Sequence, residues 1–150
     1  MRILLVLLLF LTACTQAGLQ GQVVRIVDGD TIDVMLPNER QFRIRLFAID
    51  APELRQPYGA ESRENLAKYC DNATATIDLI NVDRYRRLVA IVYCGRTNAN
   101  LQQLYDGMAW IDERFAPRDN QTEYFYKALE EAQRTNRGLW SESEPIVPRE

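Results

Sequence analysis

The sequence predicts an α+β protein: a closed barrel of five β-strands carrying three helices. Three observations support this: segments rich in β-branched residues bounded by turn dipeptides, longer segments with one apolar helical face, and their order, β-β-β-α-β-β-α-α. At 150 residues the chain has the length of one domain with its own core.

The elements follow in order. Gln22 to Val27 reads as a strand with β-branched residues at 23, 24, 26 and 27. Asp28-Gly29-Asp30 is a turn, Thr31 to Leu36 the next strand, and Pro37-Asn38 a second turn. Gln41 to Ile49 alternates, with Phe42, Ile44 and Leu46 on one face and Arg43, Arg45 and Phe47 on the other. Ala51-Pro52 breaks the pattern. Ala60 to Tyr69 is expected to be a helix with Leu66 and Ala67 inward, stopped by Asp71-Asn72. Ala73 to Val82 and Leu88 to Cys94 are two further strands around the segment Asp83-Arg84-Tyr85-Arg86-Arg87. Asn98 is suited to cap a helix carrying Leu101, Leu104 and Tyr105 that ends at Gly107. The last helix, Asn120 to Asn136, presents Phe125, Ala128, Leu129 and Ala132, and Leu139-Trp140 is expected to pack back on the core. Five strands with a helix between the third and fourth is the connectivity of an OB-type barrel.

The two ends are read separately. Arg2 followed by the apolar run Ile3–Leu11 is too short to span a bilayer and reads as a signal peptide over residues 1–13. It ends in Leu11-Thr12-Ala13-Cys14, a pattern resembling a bacterial lipobox, which makes Cys14 the expected lipidated first residue of an exported, envelope-anchored chain. Ordinary cleavage nearby, with Cys14 lost, is the alternative. Residues 14–21 are expected to be a tether, 22–141 the folded domain and 142–150 a flexible tail. Loss of Arg2 takes the formal charge from -3 to -4. In an oxidising compartment the remaining Cys70 and Cys94 are expected to form a disulfide, the alternative being two free buried thiols.

The chain has no histidine, which removes Ser-His-Asp hydrolysis, histidine-based nuclease chemistry and histidine-ligated zinc. Carboxylates, Lys, Tyr and metal-bound water remain as acid–base groups. Of the 18 basic residues only Lys68 and Lys127 are lysine. Arginine offers a planar fork that matches pairs of phosphate oxygens, although most of these arginines are read as ordinary surface charge. An acidic total does not exclude a nucleic-acid partner, because local charge decides.

Acids and arginines concentrate in three segments: Asp28-Gly29-Asp30-Thr31, Arg45-Leu46-Phe47-Ala48-Ile49-Asp50-Ala51-Pro52-Glu53, and Asp83-Arg84-Tyr85-Arg86-Arg87. Each alone is more often a turn, a loop cap or a solvated hairpin. Together, in this order, they resemble the thermonuclease (staphylococcal nuclease-like) family. Gln56-Pro57-Tyr58-Gly59, Gly107-Met108-Ala109-Trp110 and Gly138-Leu139-Trp140 match as well, so the similarity runs from Val23 to Ser141. The resemblance implies that Asp30, Asp50 and the Ala51 carbonyl hold Ca2+. It also implies that Glu53 is the catalytic acid–base residue and that Arg45 and Arg87 hold the reacting phosphate. The implied reaction is hydrolysis of DNA and RNA to 3′-phosphate and 5′-hydroxyl ends, and the chain is separately expected to be a monomer. Carboxylates without histidine suit calcium or magnesium better than zinc.

Arg86 stands where the family usually has glycine, and the spacing favours Arg87 as the phosphate ligand. The segment Trp110–Phe115 replaces one that often offers tyrosines to a base. Tyr85, Arg86 and Phe115 are the expected nucleic-acid contacts, with a hairpin or core role as the alternative for Tyr85. The rival function is a non-catalytic OB-fold nucleic-acid-binding lipoprotein.

Overall fold

The computed structural model describes residues 18–116, 118–120 and 122–148. The expected signal peptide and Cys14 lie outside them. Among the described residues no helix is long and apolar enough to cross a membrane.

Five strands make the barrel: β1 (Leu19–Ile26), β2 (Thr31–Met35), β3 (Gln41–Leu46), β5 (Thr74–Val82) and β6 (Leu88–Cys94). Antiparallel ladders join β1 to β2, β2 to β3, β1 to β5 and β5 to β6. A parallel pairing of β3 with β6, Ile44 opposite Leu88 and Leu46 opposite Ala90, closes the ring and leaves none of these strands as a bare edge. Period-2 alternation sends Val23, Ile32, Val34, Ile44, Leu46, Ile77 and Val92 into a fully buried interior. Asn100, itself fully buried, ties the closure together. Its Nδ2 donates to the carbonyls of Phe47 (2.8 Å) and Ala90 (3.1 Å), and its Oδ1 accepts from the Val92 amide (2.9 Å).

Short pairs complete the sheets: β4 (Ile49–Asp50) with β8 (Trp110–Ile111), and β7 (Thr97–Asn98) on the edge of β6. The helices are α1 (Gly59–Cys70), α2 (Ala99–Tyr105) and α3 (Glu123–Arg134), and a 3-10 turn covers Gly138–Ser141. Asn98 caps α2, its side chain accepting from the Leu101 amide at 3.0 Å. Leu139 and Trp140 are buried against Ala132.

Several boundaries differ from expectation, for local reasons. β1 begins at Leu19, inside the expected tether, because Leu19 to Gln22 pair with β5. β3 stops at Leu46 rather than Ile49: Ala48 takes a left-handed φ of 68°, and the chain turns to start β4. α3 begins at Glu123, and its buried face also includes Tyr126, whose hydroxyl donates to the Ala116 carbonyl at 2.9 Å. α1 buries Ser62 and Asn65 beside Leu66, so its inner face is partly polar. Part of the expected tail is hydrogen-bonded: Trp110 Nε1 donates to the Ile146 carbonyl (2.8 Å), Gln56 Nε2 to the Val147 carbonyl (3.1 Å) and the Tyr58 hydroxyl to Glu142 (3.0 Å).

Cys70, at the end of α1, is bonded to Cys94, at the end of β6, across 24 residues. Loop closure of that size restricts the unfolded chain enough to stabilise the fold by about 3 kcal/mol. Urea unfolding of the C70A/C94A variant should show a loss of that order. Equal stability would mean that the bond constrains nothing.

Candidate active site

The Asp28-Gly29-Asp30 turn joins β1 to β2 and lies against α1. A Cβ on Gly29 would overlap Ser62 Oγ and crowd the Ala51 methyl, so no larger residue fits. Gln103 of α2, fully buried, fixes the turn from behind: its Nε2 donates to the Gly29 carbonyl (2.6 Å) and to the Ser62 carbonyl (3.0 Å). Asn65 Nδ2 in turn donates to Gln103 Oε1 at 2.7 Å. A buried amide network of this kind is costly unless fully satisfied, and here it holds one loop in one place.

Asp30, only 3% exposed, uses both carboxylate oxygens. Oδ2 accepts the Ala51 amide (2.7 Å), Oδ1 the Thr31 hydroxyl (2.9 Å), and Oδ1 also pairs with Arg45. Arg45 projects from β3, and its other terminal nitrogen donates to Asp50 Oδ1 at 2.6 Å. One guanidinium therefore bridges two carboxylates that are 20 positions apart in the chain.

Glu53 lies just beyond, on the loop leading to α1. Its amide donates to Gln56 Oε1 (2.8 Å), and its carbonyl accepts the Gln56 amide (2.8 Å). That carbonyl packs so closely on Gly59 that a Cβ there would overlap it. Although the residue is exposed, partial burial raises the Glu53 pKa first, and the negative charges of Asp28 and Asp50 add to it against Arg45 and Arg87. Burial likewise raises Asp28 against its Thr31 hydrogen bonds and the two arginines. Asp28, Arg45, Glu53, Asp50 and Arg87 thus share one electrostatic neighbourhood.

The tip of the β5–β6 hairpin supplies Arg87. Asp83 clamps it: Oδ2 accepts Arg87 Nε (2.7 Å), and Oδ1 accepts the amides of Arg87 (2.9 Å) and Tyr85 (2.9 Å). Burial works against ionised Asp83, but the Arg87 hydrogen bonds and charge win and hold its pKa below the usual carboxylate range. Arg86 sits at φ 64°, the left-handed conformation that glycine adopts without strain. The hairpin keeps the turn that glycine would favour, and Arg87 stays in register. Arg87 and Arg45 line the same cleft of about 380 Å³, together with Arg84, Tyr85, Asp112 and Phe115. Tyr85 and Phe115, 64% and 58% exposed, are available there for stacking.

Among the described residues no three His, Cys, Asp or Glu side chains form a group able to hold an ion by themselves. Asp30, Asp50 and the Ala51 carbonyl are an all-oxygen set, and the two carboxylates face one focus of positive charge, the Arg45 guanidinium. Oxygen donors of this kind are the type a hard cation takes, and in this structure Arg45 engages both carboxylates.

Residues 43–142 match the family described as Staphylococcal nuclease homologue. The chain belongs to this family. An endonuclease of Escherichia coli O157:H7, named as uncharacterized, is 37% identical over 96% of this chain and 92% of its own length. A similarly named Haemophilus influenzae protein is 32% identical over 97% of this chain and 79% of its own length. The micrococcal nuclease of Shigella flexneri is 38% identical over 88% of this chain and 79% of its own length. Arg45, Asp50, Glu53 and Arg87 lie inside the family match, and Asp30 precedes it.

The structure brings Asp30, Arg45, Asp50 and Ala51 into direct contact and places Glu53 and Arg87 around them. Arg86 lies outside the cleft that Arg45 and Arg87 share. Four supporting residues carried no assigned role in the sequence reading: Asp28, Asp83, Gln56 and Gln103. Asp28 and Asp83 stood inside the acid–arginine segments. Gln56 stood inside the Gln56-Pro57-Tyr58-Gly59 match and holds Glu53 three residues away, whereas the contacts of Gln103 are long-range and had no local signal.

Proposed function

We propose that the chain is a calcium-dependent nuclease that hydrolyses phosphodiester bonds of DNA and RNA, leaving 3′-phosphate and 5′-hydroxyl ends. The observation that carries this reading is that Arg45 and Arg87, from opposite sides of the barrel closure, line one cleft with Glu53 in their field. In that cleft the two guanidinium groups donate to the non-bridging oxygens of one phosphate, and they bind most strongly as charge gathers there in the transition state. Glu53 orients a water and takes its proton. The water oxygen bonds to phosphorus as the bond to the 5′ oxygen breaks, and that oxygen leaves as the 5′ hydroxyl by taking a proton from solvent water. Calcium held by Asp30, Asp50 and the Ala51 carbonyl would polarise the phosphate and help place that water. Tyr85 and Phe115 stack on the flanking bases.

End-labelled DNA and RNA oligonucleotides digested with calcium should yield fragments whose 3′ phosphate is removed by phosphatase. Fragments ending in a 3′ hydroxyl would contradict the assignment of the broken bond. The same proposal makes the enzyme an exported monomer anchored to the envelope through a lipid on Cys14. C14S should move it from the membrane to the soluble fraction, and an unchanged distribution would refute the anchor.

A further inference from the structure

Beyond the cleft, the outer face of the barrel carries a row of charges. Gln41, Arg43 and Arg45 alternate outward along β3, about 7 Å apart per pair of residues, a step comparable with the phosphate repeat of an extended strand. Across the sheet, Arg43 sits opposite Asp33 of β2 and binds it through two bonds (2.8 and 3.2 Å). Arg25 of β1 binds the same carboxylate at 2.9 Å. One negative charge thus serves two arginines. On the other side of β3, Arg43 and Arg87 each stand one residue before the Ile44–Leu88 pair of the parallel closure.

The left-handed turn at Arg86 places its exposed side chain on this face. Among the described residues it has no hydrogen bond or ion pair. A groove of about 390 Å³ results, lined by Asp33, Gln41, Arg43, Tyr85, Arg86 and Arg87. It shares Tyr85 and Arg87 with the active cleft, so one strand can lie in both.

We propose that the Arg43–Arg86 groove is a second phosphate subsite, which binds the sugar–phosphate backbone of the strand flanking the scissile bond; this rests on the nuclease reading above. Arg43 and Arg86 each meet one backbone phosphate, without reading a base. Gln41 adds a neutral donor. The subsite gives the enzyme a preference for strands several nucleotides long over the smallest cleavable unit.

The test compares a 20-nucleotide single strand with a dinucleotide, using the full chain and the R43Q/R86G variant. The ratio of kcat/KM for the long strand to that for the dinucleotide should fall about tenfold. The slope of log affinity against log salt should shrink by about 1.4, roughly 0.7 for each phosphate of a single strand no longer neutralised. R86G alone breaks no ion pair seen among the described residues and relieves the left-handed backbone. It should give about half of the change in slope. A ratio within twofold of the parent in both variants would overturn the subsite.

Binding of the same 20-nucleotide strand in chelator, read by fluorescence anisotropy, separates the two readings. If the parent binds without cleaving even in calcium and R43Q/R86G binds more weakly, the groove stands and the nuclease reading falls. If the variant binds as well as the parent, the groove falls whatever the catalysis.

Discussion

E53Q should lower kcat for single-stranded DNA by about two to four orders of magnitude, the range that a positioned general base contributes. The amide is nearly isosteric with the carboxylate but cannot accept a proton. The contacts that hold this loop run through the Glu53 backbone to Gln56 and against Gly59, so the substitution leaves the loop in place. The loss should therefore appear in kcat, with thermal stability close to the parent's and KM changed by only a few-fold. A kcat within tenfold of the parent would remove Glu53 from the reaction and leave water activation to another group.

R45K should cost about two to three orders of magnitude in kcat, despite keeping the charge. The guanidinium engages Asp30 with one terminal nitrogen and Asp50 with the other, a fork that a single ammonium cannot reproduce. In the proposed reaction the same planar geometry would serve two phosphate oxygens. Lysine would keep attraction at long range and lose the paired hydrogen bonds that strengthen in the transition state. KM should thus move less than kcat. A variant with kcat within tenfold of the parent would show that Arg45 supplies only charge.

Much of the barrel was legible because its strands obey a simple period. β2, β3 and β6 show β-branched or alternating residues between turn dipeptides, and the structure places them within a few residues of the expected limits. What was not legible lacks a periodic signal. The turn at Phe47-Ala48 contains neither glycine nor proline, so the left-handed Ala48 was invisible and β3 was read through to Ile49. β4, β7 and β8 are two residues long, too short for any period. Ser62, Asn65, Asn100 and Gln103 are buried amides and hydroxyls whose partners are distant in sequence, and no helical pattern announces such pairs.

At the site, the acid–arginine segments pointed to the chemistry proposed above, and the family resemblance supplied the expected roles. Neither revealed that Asp83 clamps Arg87 or that Arg45 bridges Asp30 and Asp50. Arg86 is the instructive position: a bulky residue where glycine is usual could have displaced the hairpin, yet Asp83 fixes the backbone on both sides of it and Arg86 accepts the left-handed φ instead.

The most direct measurement is cleavage of single-stranded DNA by the full chain in calcium, then in excess chelator, then with calcium restored. The account predicts cleavage that stops on chelation, returns with calcium and is lost in E53Q. DNA binding without cleavage at any calcium concentration would contradict it.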